Sequence, residues 1–300
     1  MFGYVPRAAI GSDGNIVVLD ADAQEIRIFD SDGGFVERFG GWGDGPMELR
    51  GAIDFHLFPD GRIAVSLGRL GPIKIFQRSD RGWELLDIVD FRPTPANSLC
   101  GMSDGRLFSG GYQREYETIL NEFDAGIRRF GRGYQHEHSL IRMTLSGGLV
   151  ECLEQPDRIV FGFMHLPIVR SYTTEGVLQW TAVARDDYLQ LEIIEKRHPE
   201  TGAVGVSRRV VRDHDRLIGI HSVGSDGQLL LQYGRFFWTR REIVPQSYLV
   251  DTVTGFGAYL DADSLPIVLS THHDGYIALF QEPYPHLEVR RMGTHETLNQ

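Results

Sequence analysis

Among the side chains that could do chemistry, Arg7, Asp54, His56, Glu151 and His272 combine the types that acid–base catalysis requires. His56 or His272 could act as a general base. Asp54 or Glu151 could orient it or serve as the acid, and Arg7 could hold an anionic group, as in hydrolysis or lyase chemistry. A second arrangement takes His56, His221 and His272 with a carboxylate, since three imidazoles and one open position suit catalytic zinc. A third assigns no chemistry: these side chains, with Cys100 and Ser222, line a water-filled channel, and the protein binds a ligand at its mouth. The residues are scattered along the chain, so only a repeating architecture could bring them together.

Such a repeat is present. A short turn followed by an apolar strand recurs at Asp13-Gly14, Asp60-Gly61, Asp104-Gly105, Asp157-Arg158, Asp226-Gly227 and Asp274-Gly275, at intervals of 47, 44, 53, 69 and 48 residues. Asp-Gly suits a type I′ hairpin turn, whose two central residues both need positive φ. After the first anchor, Glu25 to Phe29 and Phe35 to Phe39 read as two further strands around Asp30-Ser31-Asp32-Gly33, giving four strands per copy. Short strands in a module of about 45 residues, without sustained helical periodicity, predict four-stranded blades of a six-bladed β-propeller over 1–300. Counting back by two, four and six residues from each anchor places Arg7, Asp54, His56, Ser98, Cys100, Glu151, Ser222, Ser270 and His272 on one face of the innermost strands. His221 lies one residue off, and a bulge would bring it in.

The run Gly14-Asn15-Ile16-Val17-Val18-Leu19-Asp20, with Arg27-Ile28-Phe29-Asp30, Phe35-Val36-Glu37-Arg38-Phe39-Gly40 and Gly45-Pro46, resembles the NHL repeat and bacterial six-bladed propellers related to it. Phe123-Asp124 and Arg129-Phe130-Gly131 keep the pattern in the third copy, whereas copies four and five keep hairpins but lose most glycines. The chain departs from the repeat at Met47-Glu48-Leu49, where a glycine usually precedes the acid. NHL-type peptidyl-hydroxyglycine lyases hold a metal in the channel, so the resemblance makes zinc thinkable here. Propeller lactonases and strictosidine-synthase-like enzymes rely on calcium with asparagine ligands. The four asparagines here, Asn15, Asn97, Asn121 and Asn299, lie off the inner face, which disfavours calcium.

Two irregularities qualify the repeat. The longest interval holds an insertion near 185–216, read as a hairpin in which Leu189 to Lys196 and Ala203 to Val211 flank Pro199 to Gly202. A short helix for its first half is the alternative, because Leu189, Ile193 and Ile194 could share a helical stripe. In the last copy the fourth strand would fall on Glu296 to Gln300, a poor strand. The expectation is either a natural start upstream of Met1, with a leader, or a three-stranded last blade.

A net charge of −11 and pI near 5.4 argue against nucleic acid as a partner, since its phosphates must be neutralised. Arg208, Arg209, Arg212, Arg240 and Arg241 read as solvated surface. Cys100 and Cys152 show neither a CxxC nor a zinc spacing and indicate no disulfide framework, though one bridge between them stays open. No apolar run is long enough for a membrane helix, and Met1 to Arg7 lacks the regions of a signal peptide. His136 and His138 could bind a metal but read first as a mobile loop, and Tyr233, Phe236, Phe237 and Trp238 read as blade packing rather than a sugar platform. No Gly-x-Ser-x-Gly elbow or Walker motif is present. The reading is therefore a monomeric propeller binding a small-molecule, peptide or protein ligand at the channel mouth. The alternative is a channel-centred hydrolase or lyase. Localisation stays open, outside the cytoplasm if a leader is missing.

Overall fold

Twenty-five short strands and a single helix make up the elements of the computed structural model, which describes residues 3–68, 71–90, 96–124, 126–183, 188–191, 193–197, 199–202, 204–208, 212–224, 227–260, 265–272, 275–280 and 286–291. Blade 1 comprises β1 (Arg7–Ile10), β2 (Ile16–Asp20), β3 (Glu25–Phe29) and β4 (Phe35–Gly40). Blade 2 comprises β5 (Asp54–Leu57), β6 (Ile63–Ser66), β7 (Ile73–Ser79) and β8 (Gly82–Val89). Blade 3 comprises β9 (Ser98–Gly101), β10 (Leu107–Gln113), β11 (Thr118–Phe123) and β12 (Ile127–Arg132). The helix α1 (Ser139–Leu145) leads into blade 4, with β13 (Gly148–Glu154), β14 (Asp157–Phe163), β15 (Ile168–Thr173) and β16 (Leu178–Val183). A separate hairpin, β17 (Ile193–Arg197) and β18 (Val204–Arg208), precedes blade 5, with β19 (His214–Val223), β20 (Gln228–Phe237), β21 (Glu242–Asp251) and β22 (Gly257–Leu260). Blade 6 has β23 (Ile267–His272), β24 (Gly275–Phe280) and β25 (His286–Arg291). Every sheet is an antiparallel meander in chain order, the six-bladed propeller expected from the repeat. The last blade has three strands among the described residues; Glu296 to Gln300, the expected fourth, lies outside them.

The hairpin anchors differ in turn type from the expectation. Phe58 C=O accepts from Gly61 N–H at 2.9 Å while Phe58 N–H donates to Arg62 C=O at 2.9 Å, and the same pair of bonds recurs at Gly11 and at Met102. This is a three-residue loop: a type I turn closed by a left-handed glycine. Positive φ falls on Gly14, Gly61 and Gly105 alone, and the aspartate instead accepts the N–H of Asn15, Arg62 or Arg106 through its side chain at 3.0 to 3.1 Å. In the fourth copy Asp157 is not a turn residue. It pairs with Glu154, and the turn is Gln155-Pro156, joined by a cis peptide bond. Asp226 and Asp274 lie outside the described residues. His136 and His138 lie in a loop, as expected, and this loop is tied to the helix that follows: His136 Nδ1 accepts the N–H of His138, which caps α1 by accepting from Leu140 N–H.

Apolar side chains pack between blades rather than in one central mass. Val17, Leu19 and Ile26 of blade 1 meet Phe55, Ile63 and Phe76 of blade 2, while Phe58, Ala64 and Ile73 meet Leu99, Leu107 and Phe123 of blade 3. Phe108, Ile119 and Phe130 meet Val150, Phe161 and Tyr172, and Val160 and Val169 meet Leu217, Leu229 and Tyr233. Val5, Ala8 and Val18 close the ring against Leu269 and Ile277 of blade 6. Blade 5 joins blade 6 differently, through buried polar groups: Gln232 accepts from Val268 N–H at 2.8 Å and donates to Pro266 C=O at 2.9 Å, and His221 Nε2 lies 3.0 Å from Val268 C=O.

The inserted segment is the expected hairpin, with Ile193 opposite Arg208 and a left-handed Gly202 in the turn between the strands. The helical alternative fails because residues 193–197 pair as a strand. Fully buried Asp215 ties the segment to blade 5. Its carboxylate accepts from Leu189 N–H at 2.9 Å and takes a bidentate pair from Arg235 at 2.8 and 2.9 Å, while Tyr188 donates to its carbonyl at 2.9 Å.

Cys100 and Cys152 form a disulfide between the innermost strands of blades 3 and 4, with Cα atoms 5.5 Å apart. Closing a loop of 52 residues removes denatured-state entropy equivalent to about 4 kcal/mol. The Cys100→Ser, Cys152→Ser double variant should therefore unfold at a lower denaturant midpoint by about that free energy, and the oxidised parent should show no titratable thiol when unfolded. Equal midpoints would mean the bridge contributes nothing to stability.

Candidate functional site

The innermost strands converge on the channel, and the repeat sets which residues meet there. Arg7, Asp54, Ser98 and Glu151 each stand three residues before the last paired residue of their strand, respectively Ile10, Leu57, Gly101 and Glu154. At this shared depth Arg7 Nε lies 4.0 Å from Asp54 Oδ1, and Arg7 Nη2 lies 3.8 Å from Glu151 Oε2. These separations are electrostatic contacts rather than direct hydrogen bonds. Each carboxylate is also held by the following blade. Asp54 accepts the N–H of Leu99 at 2.7 Å, and Glu151 accepts the N–H of Ser222 at 3.1 Å. Burial raises both carboxyls above their ordinary values, and the Arg7 charge and these N–H donors only partly oppose it.

The remaining expected residues are placed apart from this cluster. His56 wedges between blades 2 and 3, edge-on to Phe58 at 4.6 Å, and a Cβ on Gly101 would lie 2.5 Å from its Nε2. That nitrogen is buried without a hydrogen-bond partner among the described residues. The bulge between Leu217 and Gly219 is present, yet His221 is turned toward blade 6 and Val268. Ser222 contributes its N–H, and its carbonyl accepts from Thr271 Oγ1. His272 is exposed, beside the hairpin turn at the far end of β23. Cys100, expected among the ligand-binding residues of the channel, is held in the disulfide and offers no free thiol there. His56, His221 and His272 therefore do not meet, and no group of three or more His, Cys, Asp or Glu side chains is placed to hold a metal ion among the described residues.

A second feature lies at the rim. β19, β20 and β21 run ten residues each, against four to eight for the strands of the other blades, and their ends away from the Gly224–Gly227 turn carry His214, Phe236 and Ile243. There they wall a cleft of about 840 Å³, lined among others by Leu191, His214, Phe236, Phe237, Trp238 and Ile243. The His214 ring stacks on Phe236 at 5.2 Å and 9°, and Trp238 is 52% exposed. Tyr233 is fully buried blade packing, as expected, but Phe236, Phe237 and Trp238 line the cleft instead. The sequence signal for it was that aromatic run itself, in the copy that follows the inserted segment. Arg241, in the loop before β21, has φ 52°, as Gln24 and Glu117 have φ 58° and 54° before β3 and β11, so this is a feature of the turn and not of the cleft.

Comparison with known proteins adds the fold and little else. No family model and no curated protein matches the chain. A member of the DUF4221 family from Bacteroides vulgatus is similar in structure, with TM-score 0.63 at 9% identity over 97% of this chain and 94% of that one. A putative exported protein from Bacteroides fragilis gives TM-score 0.59 at 11% identity over 93% and 80%. The likeness is one of fold. A streptogramin B lyase, at TM-score 0.49 and 12% identity over 97% and 83%, is too distant to bear on chemistry. No described helix is long and apolar enough to cross a membrane.

The channel predicts two pH effects of opposite sign. Burial, and secondarily Arg7, pull His56 and His221 down from 6.5 to about 3. Below their ordinary value the unfolded chain binds protons that the folded one does not. Stability present above pH 6.5 is thus lost as pH falls toward 3, by at most about 1.4 kcal/mol per pH unit for each histidine. The raised carboxyls act the other way, and their contribution is lost as pH rises through the raised values. Replacing both His56 and His221 by Gln should flatten the acid limb of a Tm–pH profile; an unchanged limb would exclude them as its source. Arg7→Gln should cost about 2 to 3 kcal/mol at alkaline pH and less at acid pH, where the carboxyls it neutralises take up protons. An equal cost at both pH values would mean Arg7 does not act through those charges.

Proposed function

We propose that this protein is a ligand-binding propeller, and that its ligand site is the cleft at the rim of blade 5. The observation that carries this reading is the extension of three strands of one blade to ten residues, which walls a cleft of about 840 Å³ with a half-exposed tryptophan at its edge. That size and its aromatic lining match sites that bury small molecules or short peptide segments. The Cys100–Cys152 bridge suits an oxidising compartment.

The channel supports the same reading by contrast. Its raised carboxyls are what a hydrolase or lyase would draw on. Yet Asp54 and Glu151 share Arg7 and accept N–H groups of the next blade, while His56 and His221 are turned into the seams between blades. A general base needs to stand within hydrogen-bond reach of its partner and substrate, and these groups are engaged with the fold instead. The cluster acts as a pin across the ring.

Incorporating 5-fluorotryptophan would test this, since the chain has four tryptophans. Small aromatic compounds should shift the Trp238 resonance saturably, leave Trp42, Trp83 and Trp180 unmoved, and lose affinity in a Phe236→Ala variant. Binding that leaves Trp238 unmoved and is instead abolished by Arg7→Gln would overturn the rim site in favour of the channel.

A further inference from the structure

The lining of the blade 5 cleft carries a charge bias that its aromatic walls do not require. Two arginine pieces far apart in sequence meet there: Arg212 and Arg216 at the start of β19, and Arg240 and Arg241 in the loop between β20 and β21. The two pieces are joined where Trp238 N–H donates to Asp213 Oδ1 at 3.0 Å. Arg216 and Arg241 are exposed and line the cleft, together with His165 and His214. Glu242, the one carboxylate of the lining among the described residues, is engaged by Arg240 at 3.3 Å, and the Arg240 guanidinium itself sits 3.9 Å above the Phe237 ring. His214 Nδ1 lies 3.2 Å from the Arg212 carbonyl, which can only accept, so Nδ1 carries the proton and fixes the ring flat against Phe236. In a chain of net charge −11, the described residues of this recess include two arginines and two histidines against a single glutamate.

We infer that the cleft takes a small organic acid, with an aromatic or extended apolar body against Phe236, Trp238 and Ile243 and its anionic group facing Arg216 and Arg241. This rests on the reading of the cleft as the ligand site. Guanidinium groups recognise carboxylate, sulfonate and phosphate alike through paired N–H donors. The net charge of −11 disfavours such ligands over the molecule as a whole, so the guanidinium groups of this cleft are what would hold one.

Three naphthalenes of equal body and different charge separate the inference from the reading beneath it: 2-naphthoate, 2-naphthamide and 2-naphthylmethylamine. Titrated by calorimetry and by the Trp238 resonance, the acid should bind at least about tenfold more tightly than the amide, and the amine most weakly, as expected for charge-assisted hydrogen bonds. Arg216→Gln with Arg241→Asn, the latter tolerating the left-handed backbone, should erase the preference while the amide still binds. Phe236→Ala should weaken all three. Equal binding of acid, amide and amine would overturn the charge inference and leave the cleft as a ligand site. No binding by any of the three would overturn both.

Discussion

The second strand of each blade is largely buried on both faces, and that constraint governs the rest. In the second strand of a blade, alternate side chains go to opposite neighbours: Val17 and Leu19 pack toward blade 2 and Val18 toward blade 6, while Ile63 and Val65 pack toward blade 1 and Ala64 toward blade 3. These strands are consequently apolar at successive positions and not at every second one. The stability of the ring resides in seams between blades, and a blade alone would expose both of its faces. The disulfide lies on one such seam, linking strands β9 and β13 that the apolar cluster of blades 3 and 4 already brings together.

Ring closure has an electrostatic counterpart. Because the innermost strands of blades 1, 2 and 4 end at a common depth, one arginine from blade 1 stands near carboxylates of blades 2 and 4, and each carboxylate reaches forward to a backbone N–H of the following blade. Buried charges are tolerated only when so compensated. The seam between blades 5 and 6 uses neutral polar groups instead, with Gln232 fully buried and bonded to Pro266 and Val268. The channel polarity expected for a binding or catalytic centre is thus largely spent on holding neighbouring blades in register. At the rim of blade 5, by contrast, side chains are released from that duty and line a cleft.

The fold was legible because its signals are local. Asp-Gly loops and apolar strands of four to six residues repeat within each blade, and the turn chemistry that fixes them spans only a few residues, even though the loop proved to be a type I turn with a left-handed glycine and not a type I′ turn. Blade 4 was harder to frame because Gln155-Pro156 makes a hairpin without the usual aspartate. The inner face was partly legible as well, since counting back from the anchors put Arg7, Asp54 and Glu151 together on it.

What the sequence by itself determined was the number of blades, the inserted hairpin and the residues able to face the axis, since each follows from period and pattern along the chain. Only the tertiary structure decided which of them meet. His56, His221 and His272 satisfy the same counting rule or lie one step from it, yet they end in a blade seam, against Val268 and at an exposed strand end. The pairing of Cys100 with Cys152 across the seam of blades 3 and 4, and the placing of Arg216 and Arg241 in one cleft with Trp238, were likewise decided by the tertiary structure. Such contacts join residues across loops of many tens of positions, and periodicity along the chain carries no information about distance across it.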